Sequence, residues 1–197
     1  ETYREKVASA LVGLGFNEML TNSITNAAWF SEEEQQGMVK MINSLSAELN
    51  ILRPSLFETA MDVVARNCNY KNNNLRLFEF GKAYSKQGPG KYNETEQLCL
   101  VMTGNKQDDG WKQKSIPADF FYLKSVLEKI FRLLGIDEGR PAPMEVGKLY
   151  NHLVYYSNGM HLAGIGEVKK NVLEQFGIRQ PVFFAGLNWQ LIAGLAG

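Results

Sequence analysis

This 197-residue chain has only two cysteines and two histidines, the side chains that most often serve as zinc ligands. The two cysteines, Cys68 and Cys99, and the two histidines, His152 and His161, are spread along the sequence, and no pair has the close spacing of a zinc finger or zinc ribbon. Both cysteines lie among apolar or strand-like residues, as reduced core cysteines usually do. We therefore expect no structural zinc, and reduced thiols in a cytoplasmic protein.

Motifs for phosphate, cation or acyl chemistry are incomplete. Gly164-Ile165-Gly166 is followed by Lys169 where a dinucleotide-binding turn needs a third glycine. The sequence contains neither a P-loop nor a Gly-x-Ser-x-Gly nucleophile elbow. Asp108-Asp109-Gly110 lacks the alternating oxygen ligands of a calcium loop, and we interpret it as a solvated turn. These patterns predict no catalytic, cofactor-binding or metal-binding residue in this chain.

The net charge is zero, which argues against a free-standing nucleic-acid binder. One segment departs from this balance, because residues 62–91 carry six basic side chains against two acidic ones. This basic segment has two interpretations: a surface that approaches phosphate, or a solvated face whose lysines keep an edge strand from pairing with other chains. Its candidate phosphate contacts are Arg66, Lys71, Lys82 and Lys86.

One arginine has an unusual setting. Arg53 stands between the apolar residues Leu52 and Leu56, just before a predicted helix. A buried charge needs a partner of opposite sign, so we expect Arg53 to be partly buried and paired with Glu48 or Glu79. The alternative is an arginine that binds substrate, since functional sites also gather such charges.

The spacing of apolar residues predicts the elements that position these side chains. A helix over 120–134 is the clearest, with Asp119 near its N-cap and Gly135 at its end. Asn158-Gly159 between two apolar runs predicts a hairpin. Further helices are predicted over 3–14, 31–37, 54–67 and 170–176, and strands over 16–24, 39–42, 75–84, 97–103, 153–156, 160–165 and 182–187.

This order of elements predicts an α+β fold with a mostly antiparallel sheet flanked by helices. With 197 residues and 45% hydrophobic side chains, the chain is long enough for one sizeable core. It lacks an initiator methionine, so we expect a single module over residues 1–197, excised from a longer polypeptide. No apolar run approaches the roughly 18 residues that span a bilayer, and we expect no membrane partner.

Seven short segments, in this order, resemble the catalytic-like module of the bacterial phenylalanine–tRNA ligase beta-subunit family. The segments are Leu11–Glu18, Ser46–Leu49, Leu52–Leu56, Ala65–Asn67, Leu77–Lys82, Asp119–Lys124 and Gly164–Val168. The chain departs from the family at Asn43-Ser44, at Asn151–Val154 and at Lys169-Lys170, where prolines are usual. It is therefore similar to a divergent member.

The resemblance implies a class II synthetase fold without an active site of its own. Catalytic members hold the ATP phosphate with an arginine on the second motif and another near the end. Here Ser85-Lys86 follows Gly81–Tyr84, and Gly186–Gly197 contains no arginine. The module itself is expected to be inactive, with ATP and magnesium serving the whole enzyme and the chemistry lying in the alpha subunit.

The resemblance also implies an alpha-subunit partner in an α2β2 assembly. The first helix and strand match the motif that makes interfaces in this class, so Leu11, Phe16 and Met19 are candidate interface residues. An isolated chain is then expected to self-associate or to be only marginally soluble. Two alternatives stay open: adenylate binding by this chain alone, and a tRNA-contacting module that uses the basic segment.

Overall fold

The computed structural model describes residues 2–43, 46, 48–107, 114–137, 139–145 and 147–196. The Asp108-Asp109-Gly110 turn lies outside these residues. The helices are α1 (Thr2–Gly13), α2 (Glu32–Gln35), α3 (Phe57–Asn69), α4 (Phe120–Leu134), α5 (Lys170–Gln175) and α6 (Trp189–Leu195), with a 3-10 turn over Ala27–Trp29. The strands are β1 (Asn17–Glu18), β2 (Ile24–Thr25), β3 (Ile51–Leu52), β4 (Leu75–Gly88), β5 (Lys91–Thr103), β6 (Asn105–Gln107), β7 (Ile116–Pro117), β8 (Ala142–Met144), β9 (Leu149–Ser157), β10 (Met160–Val168) and β11 (Val182–Leu187).

Seven of these strands form the main sheet, in the order β1-β4-β5-β11-β10-β9-β8. Neighbouring strands are antiparallel except β1 and β4, which pair in parallel. The expected α+β fold with a mostly antiparallel sheet is confirmed. Among the described residues, no helix is both long enough and apolar enough to cross a membrane.

Each face of the sheet carries its own hydrophobic core. Alternate residues of a strand point to opposite faces, so Phe78 and Leu100 enter a core shared with α1, α4 and α6. Leu77 and Val101 enter a second core, shared with α3 and α5. We call these two sides the α4 face and the α3 face.

The helix α4 forms where its sequence pattern predicts. The Asp119 side chain accepts a hydrogen bond of 2.7 Å from the Tyr122 backbone N–H, which caps the first turn. Gly135 ends the helix with φ of 68°, a left-handed conformation that glycine adopts without strain. The stripe that it buries comprises Leu123, Val126, Leu127, Ile130, Phe131 and Leu134.

The segment between β1 and α3 departs from the prediction. The expected strand over 16–24 is instead β1 and β2, which belong to different sheets. No strand forms over 39–42, where Lys40 makes only an isolated bridge to Ile51. A strand needs a neighbour to satisfy its backbone groups, and this part of the chain has left the main sheet. We call residues 20–53 the insertion; a small core of its own holds it, comprising Phe30, Met38 and Ile51.

The hairpin of β4 and β5 is longer than expected, because its strands continue to Gly88 and Lys91. Its outer half is polar, with Lys82 directly opposite Glu96, so apolar periodicity does not reveal it. The helix α6 was also not predicted, although Asn188 caps it by accepting a 3.1 Å hydrogen bond from the Leu191 N–H.

Candidate functional site

A row of directly paired residues crosses six strands of the sheet on the α3 face. Directly paired residues in an antiparallel sheet point to the same face, and Cys99 belongs to the core on that side. Most residues of the row have small side chains or none, so the row forms a furrow, which we call the central furrow. Its members are Glu79, Cys99, Gly186, Gly164, Val154 and Ala142.

Side chains of the same chain fill the furrow. At Gly164, the His152 Nε2 lies 2.7 Å from the position that a Cβ would take. At Gly186, the Phe184 ring lies 3.2 Å from the corresponding position. The space that these glycines leave above the sheet therefore holds protein atoms and offers little room to a ligand.

Arg53 closes the β4 end of the furrow. Its side chain is 3% exposed, and its Nη1 donates to Glu79 Oε1 over 3.1 Å and to Thr21 Oγ1 over 2.6 Å. Its Nε donates to the Lys82 carbonyl over 2.8 Å. A Cβ at Gly81 would lie 2.3 Å from the Arg53 Nη2, so only glycine leaves room for this guanidinium. The structure thus pairs Arg53 with Glu79, whereas Glu48 is exposed.

Thr21 completes this cluster of Thr21, Arg53 and Glu79, which we call the arginine lock. Its hydroxyl donates to Glu79 Oε2 over 2.7 Å, and its backbone N–H donates to Glu79 Oε1 over 3.1 Å. The lock therefore ties both ends of the insertion to β4. The charge of Arg53 is buried and paired within the chain, so its guanidinium is not presented to solvent.

The thiol of Cys99 lies in the furrow next to Glu79. Burial, and then the nearby Glu79 carboxylate, raise the pKa of the Cys99 thiol far above its ordinary value. The protonated thiol is a poor nucleophile. Cys99 is 1% exposed and packs in the core as a small apolar side chain.

The four candidate contacts of the basic segment lie on different parts of the surface. Arg66 is on α3 and pairs with Asp62, whereas Lys82 is on the hairpin and pairs with Glu94, which raises the pKa of its ammonium group. Lys71 follows α3, and Lys86 lies near the hairpin tip. Lys71 precedes the first residue of β4, Leu75, and Lys86 is near the last, so most of the length of this strand lies between them. The four side chains therefore form no single compact patch.

Of the three candidate interface residues, two are buried in the chain's own core and one is partly exposed. Leu11 is fully buried and Phe16 is 2% exposed, both in the core of the α4 face. Met19 is half-buried against the other core. Leu11 and Phe16 therefore serve the chain's own packing, and a role of this region in an interface stays a prediction. The exposed apolar residues of the same region are Val12, at 59%, and Leu20, at 92%.

Lys148 was not predicted from the sequence. It forms a second connection between the insertion and the rest of the chain. Its ammonium group lies between the carboxylates of Glu34 and Glu58 and over the rings of Phe30 and Phe57. These partners come from α2, the insertion's core and α3. No local pattern around Lys148 indicates them, because the contacts connect segments far apart in sequence.

Known proteins with similar sequences belong to one family. The model of the phenylalanyl tRNA synthetase beta chain CLM domain matches residues 1–189. The phenylalanine–tRNA ligase beta subunit of Bacteroides thetaiotaomicron is 36% identical over 93% of this chain, and that of Porphyromonas gingivalis is 30% identical over 94%. The chain covers 24% of each of these two relatives.

The fold recurs in a solved structure that is much less similar in sequence. The pyrrolysyl-tRNA synthetase of Desulfitobacterium hafniense superimposes on 98% of this chain and 67% of its own length, with a TM-score of 0.75 and 18% identity. At this identity the likeness concerns the fold alone.

Proposed function

This chain belongs to the phenylalanyl-tRNA synthetase beta chain family, and on that premise we propose that it is a non-catalytic structural module of a phenylalanine–tRNA ligase. In this proposal the module supports the ATP-dependent attachment of phenylalanine to its tRNA, while the alpha subunit carries out the chemistry. The observation that carries the proposal is the filled central furrow, whose glycines are covered by His152 and Phe184 and whose end is closed by Arg53.

The residues around the furrow do not fit ATP and magnesium. Adenylate formation needs cationic groups that face the phosphates, because negative charge develops there in the transition state. Arg53 reaches the furrow, but its guanidinium is committed to Glu79 and Thr21. Ser85 and Lys86 are exposed on the outer half of the hairpin. We therefore assign ATP and magnesium to the alpha subunit of the whole enzyme.

The partner in this proposal is the alpha subunit, within a cytoplasmic α2β2 assembly. The exposed surface around α1 and β1 is the candidate contact, because β1 is an end strand of the main sheet and, in the part of the chain that the structure describes, no strand pairs with its other edge. Large apolar side chains are exposed at Val12 on α1 and at Leu20, the first residue of the insertion after β1. Apolar side chains of this kind favour burial in a stable interface.

Two experiments test the proposal. Pyrophosphate exchange by the isolated chain, with ATP and phenylalanine, is expected to stay at background, and clear exchange would overturn the non-catalytic assignment. Co-expression with an alpha subunit is expected to give a complex that Val12→Asp with Leu20→Asp disrupts. Tyr70→Asp, at a side chain that is 87% exposed in the turn after α3, is the control. A complex that survives the double substitution would place the interface elsewhere.

The tRNA-contacting alternative has one supporting observation. Among the described residues, Lys71 and Lys86 are exposed and have no ion-pair partner, so both ammonium groups are available to phosphate. If they bind tRNA, log K falls with log salt, and each lysine removed reduces the slope by about 0.7–0.9. Filter binding of tRNA to the chain and to Lys71→Ala and Lys86→Ala variants measures this slope. A slope near zero would exclude the alternative.

A further inference from the structure

A polar cavity of about 480 Å³ lies on the α3 face, where α3 and α5 end. We call it the amide pocket. None of its lining residues is acidic, and four of them have an amide or guanidinium side chain. Neither the central furrow nor the proposed alpha-subunit contact includes any of them. The lining residues are Cys68, Asn69, Asn73, Gly177, Arg179 and Gln180.

The segment 72–74 contributes one wall of the amide pocket and is held in place by the end of β5 and the start of β6. Gly104 leaves room for this segment, because a Cβ there would lie 2.1 Å from the Asn73 carbonyl oxygen. The Asn105 backbone N–H donates to the Asn74 Oδ1 over 2.9 Å. The backbone of Asn73 therefore has a fixed position beside the pocket.

Gln180 joins this wall to the opposite one, which is the loop between α5 and β11. Its Nε2 donates to the Asn73 carbonyl oxygen over 2.7 Å and to the Thr103 Oγ1 over 2.6 Å. The Thr103 hydroxyl is buried and donates in turn to the Pro181 carbonyl over 2.7 Å. These bonds hold the residue that follows Arg179, so the backbone of Arg179 is in place before any ligand binds.

The guanidinium of Arg179 is available to a ligand. Arg179 is exposed and forms no hydrogen bond or ion pair among the described residues, although Glu167 and Glu174 line the adjoining cavity with it. Basic side chains often satisfy the last carbonyls of a helix. The end of α3 does not need one, because its carbonyls accept from the backbone, as that of Cys68 does from the Lys71 N–H over 2.9 Å.

The groups around the pocket match a phosphate. A guanidinium presents several N–H donors in one plane and suits bidentate contact with phosphate oxygens. Asn69 and Asn73 add amide N–H donors, because neither side chain forms a hydrogen bond among the described residues. The lining has no carboxylate that would repel an anion. Donors from three segments therefore line one cavity without a competing negative charge.

We infer that the amide pocket binds a phosphate group, with the Arg179 guanidinium as its cation and the amides of Asn69 and Asn73 as further donors. Such a phosphate belongs either to a small phosphorylated molecule or to an RNA backbone. The inference goes beyond the proposed non-catalytic role and does not require it. An RNA would also meet Lys71 of the tRNA-contacting alternative, which lies between the two asparagines in the sequence.

The first test is calorimetric titration of inorganic phosphate into the chain, in a buffer without other oxyanions. We expect saturable binding, and Arg179→Gln should raise the Kd about tenfold or more, as loss of a charge-assisted contact does. The matched control is Arg132→Gln, which removes the same charge from an exposed arginine on α4. Because solvent and salt screen distant charges, this control should leave the Kd nearly unchanged.

Two further variants separate a built site from general attraction by charge. Arg179→Lys keeps the charge but loses the planar arrangement of donors, so it should still weaken binding several-fold. Asn69→Asp places a negative charge in the pocket with little change of shape, and should abolish binding. Thermal unfolding of each variant checks that the fold is intact. Absent phosphate binding, or binding that Arg179→Gln and Arg132→Gln weaken equally, would overturn the inference.

A second titration identifies the source of the phosphate by comparing a single-stranded oligouridylate with glycerol 3-phosphate. Tighter binding of the oligouridylate, weakened by Tyr70→Ser, would assign RNA, because Tyr70 is 87% exposed next to Asn69 and can stack on a base. Tighter binding of glycerol 3-phosphate would assign a small phosphorylated molecule. Either result supports the inference if Arg179→Gln abolishes it, and overturns it if Arg179→Gln has no effect.

These measurements use neither pyrophosphate exchange nor an alpha subunit. Their failure is thus distinguishable from failure of the proposed function.

Discussion

The two faces of the sheet are closed by different kinds of interaction. On the α4 face, the described helices bury mainly apolar side chains against the strands, with the Tyr155 hydroxyl donating to Glu128 over 3.4 Å. The polar side chains that are buried among the described residues belong to the α3 face and the insertion: Thr25, Arg53, Glu58, Thr59, Glu79 and Thr103. Apolar contacts are non-directional, whereas buried polar groups need exact partners.

This difference bears on function, because the α3 face carries the central furrow. A face that binds a charged substrate must keep polar groups free to meet it. Here, apart from the Thr25 hydroxyl, the buried side-chain polar atoms of the described residues are hydrogen-bonded within the chain. The buried polar side chains of the α3 face thus stabilise the fold, which agrees with a structural module.

The strongest test of the comparison removes the charge that closes the furrow. Arg53→Met should leave the Glu79 carboxylate, which is 1% exposed, without its cationic partner, at a cost of about 3–5 kcal/mol. Urea unfolding measures this loss. The double variant Arg53→Met with Glu79→Leu should recover most of it, because no unpaired charge remains. A loss below about 1 kcal/mol in the single variant would contradict the arginine lock.

The matching test on the α4 face removes apolar volume. Leu127 is fully buried, so Leu127→Ala should cost about 2–5 kcal/mol through lost burial and a residual cavity. Leu133 is 46% exposed on the same helix, and Leu133→Ala is the matched control, with a much smaller expected effect. Equal losses at the two positions would mean that the outer side of α4 is also covered by a partner.

A smaller loss of stability is expected from a substitution at Gly81, which lies against the Arg53 guanidinium. Gly81→Ala would place a Cβ 2.3 Å from Arg53 Nη2 and 2.9 Å from Leu56, and such overpacking costs about 1–3 kcal/mol. Gly13→Ala, with no atom within 4 Å of the new Cβ, should be neutral or slightly stabilising. In the Arg53→Met background the Gly81→Ala penalty should shrink. If it does not, the guanidinium is not what fills the space.

The smallest effect concerns the charge that caps α4. Burial raises the pKa of Asp119, but hydrogen bonds from Lys106 and from the Tyr122 backbone N–H outweigh it and hold the pKa below the usual 3.8. A depressed carboxyl pKa stabilises the fold above pH 3.8, and this contribution is lost as the pH falls through the folded pKa. Asparagine also caps helices, so Asp119→Asn isolates the charge.

Unfolding free energies measured between pH 5 and pH 2 should therefore decline more steeply in the parent chain than in Asp119→Asn. Because the salt bridge with Lys106 is partly exposed, the difference should stay below about 1 kcal/mol. A decline of the same steepness in both chains would show that the Asp119 charge contributes nothing to the cap.

Local signals predicted much of the fold. The apolar stripe of α4, the Asn158-Gly159 turn and the strand over 182–187 are present as expected, because each depends on residues that are near one another in sequence. The same reasoning placed Leu11 and Phe16 correctly on an apolar segment. It did not reveal which surface buries them, since the pattern for packing against a partner equals the pattern for packing against the chain's own core.

The pairing of Arg53 in the candidate site shows most clearly what the sequence could not predict. Glu48 and Glu79 were equally plausible partners of Arg53, and only the tertiary structure brings Glu79 to 3.1 Å while leaving Glu48 exposed. The choice depends on how the insertion folds back on β4. Thr21 forms hydrogen bonds with Glu79, which is 58 positions away in the sequence, and with Arg53, which is 32 positions away. Sequence periodicity contains no information on such distances.

The sequence by itself determined the fold class, the family resemblance and the lack of arginine in Gly186–Gly197. Those properties follow from local patterns and from the residue types present. The tertiary structure alone decided that His152 covers Gly164, that Arg53 closes the furrow and that Asn69 and Arg179 line one cavity. The reason is physical: hydrophobic burial depends on average spacing along the chain, whereas polar pairing and surface clefts depend on the positions of a few atoms from distant segments.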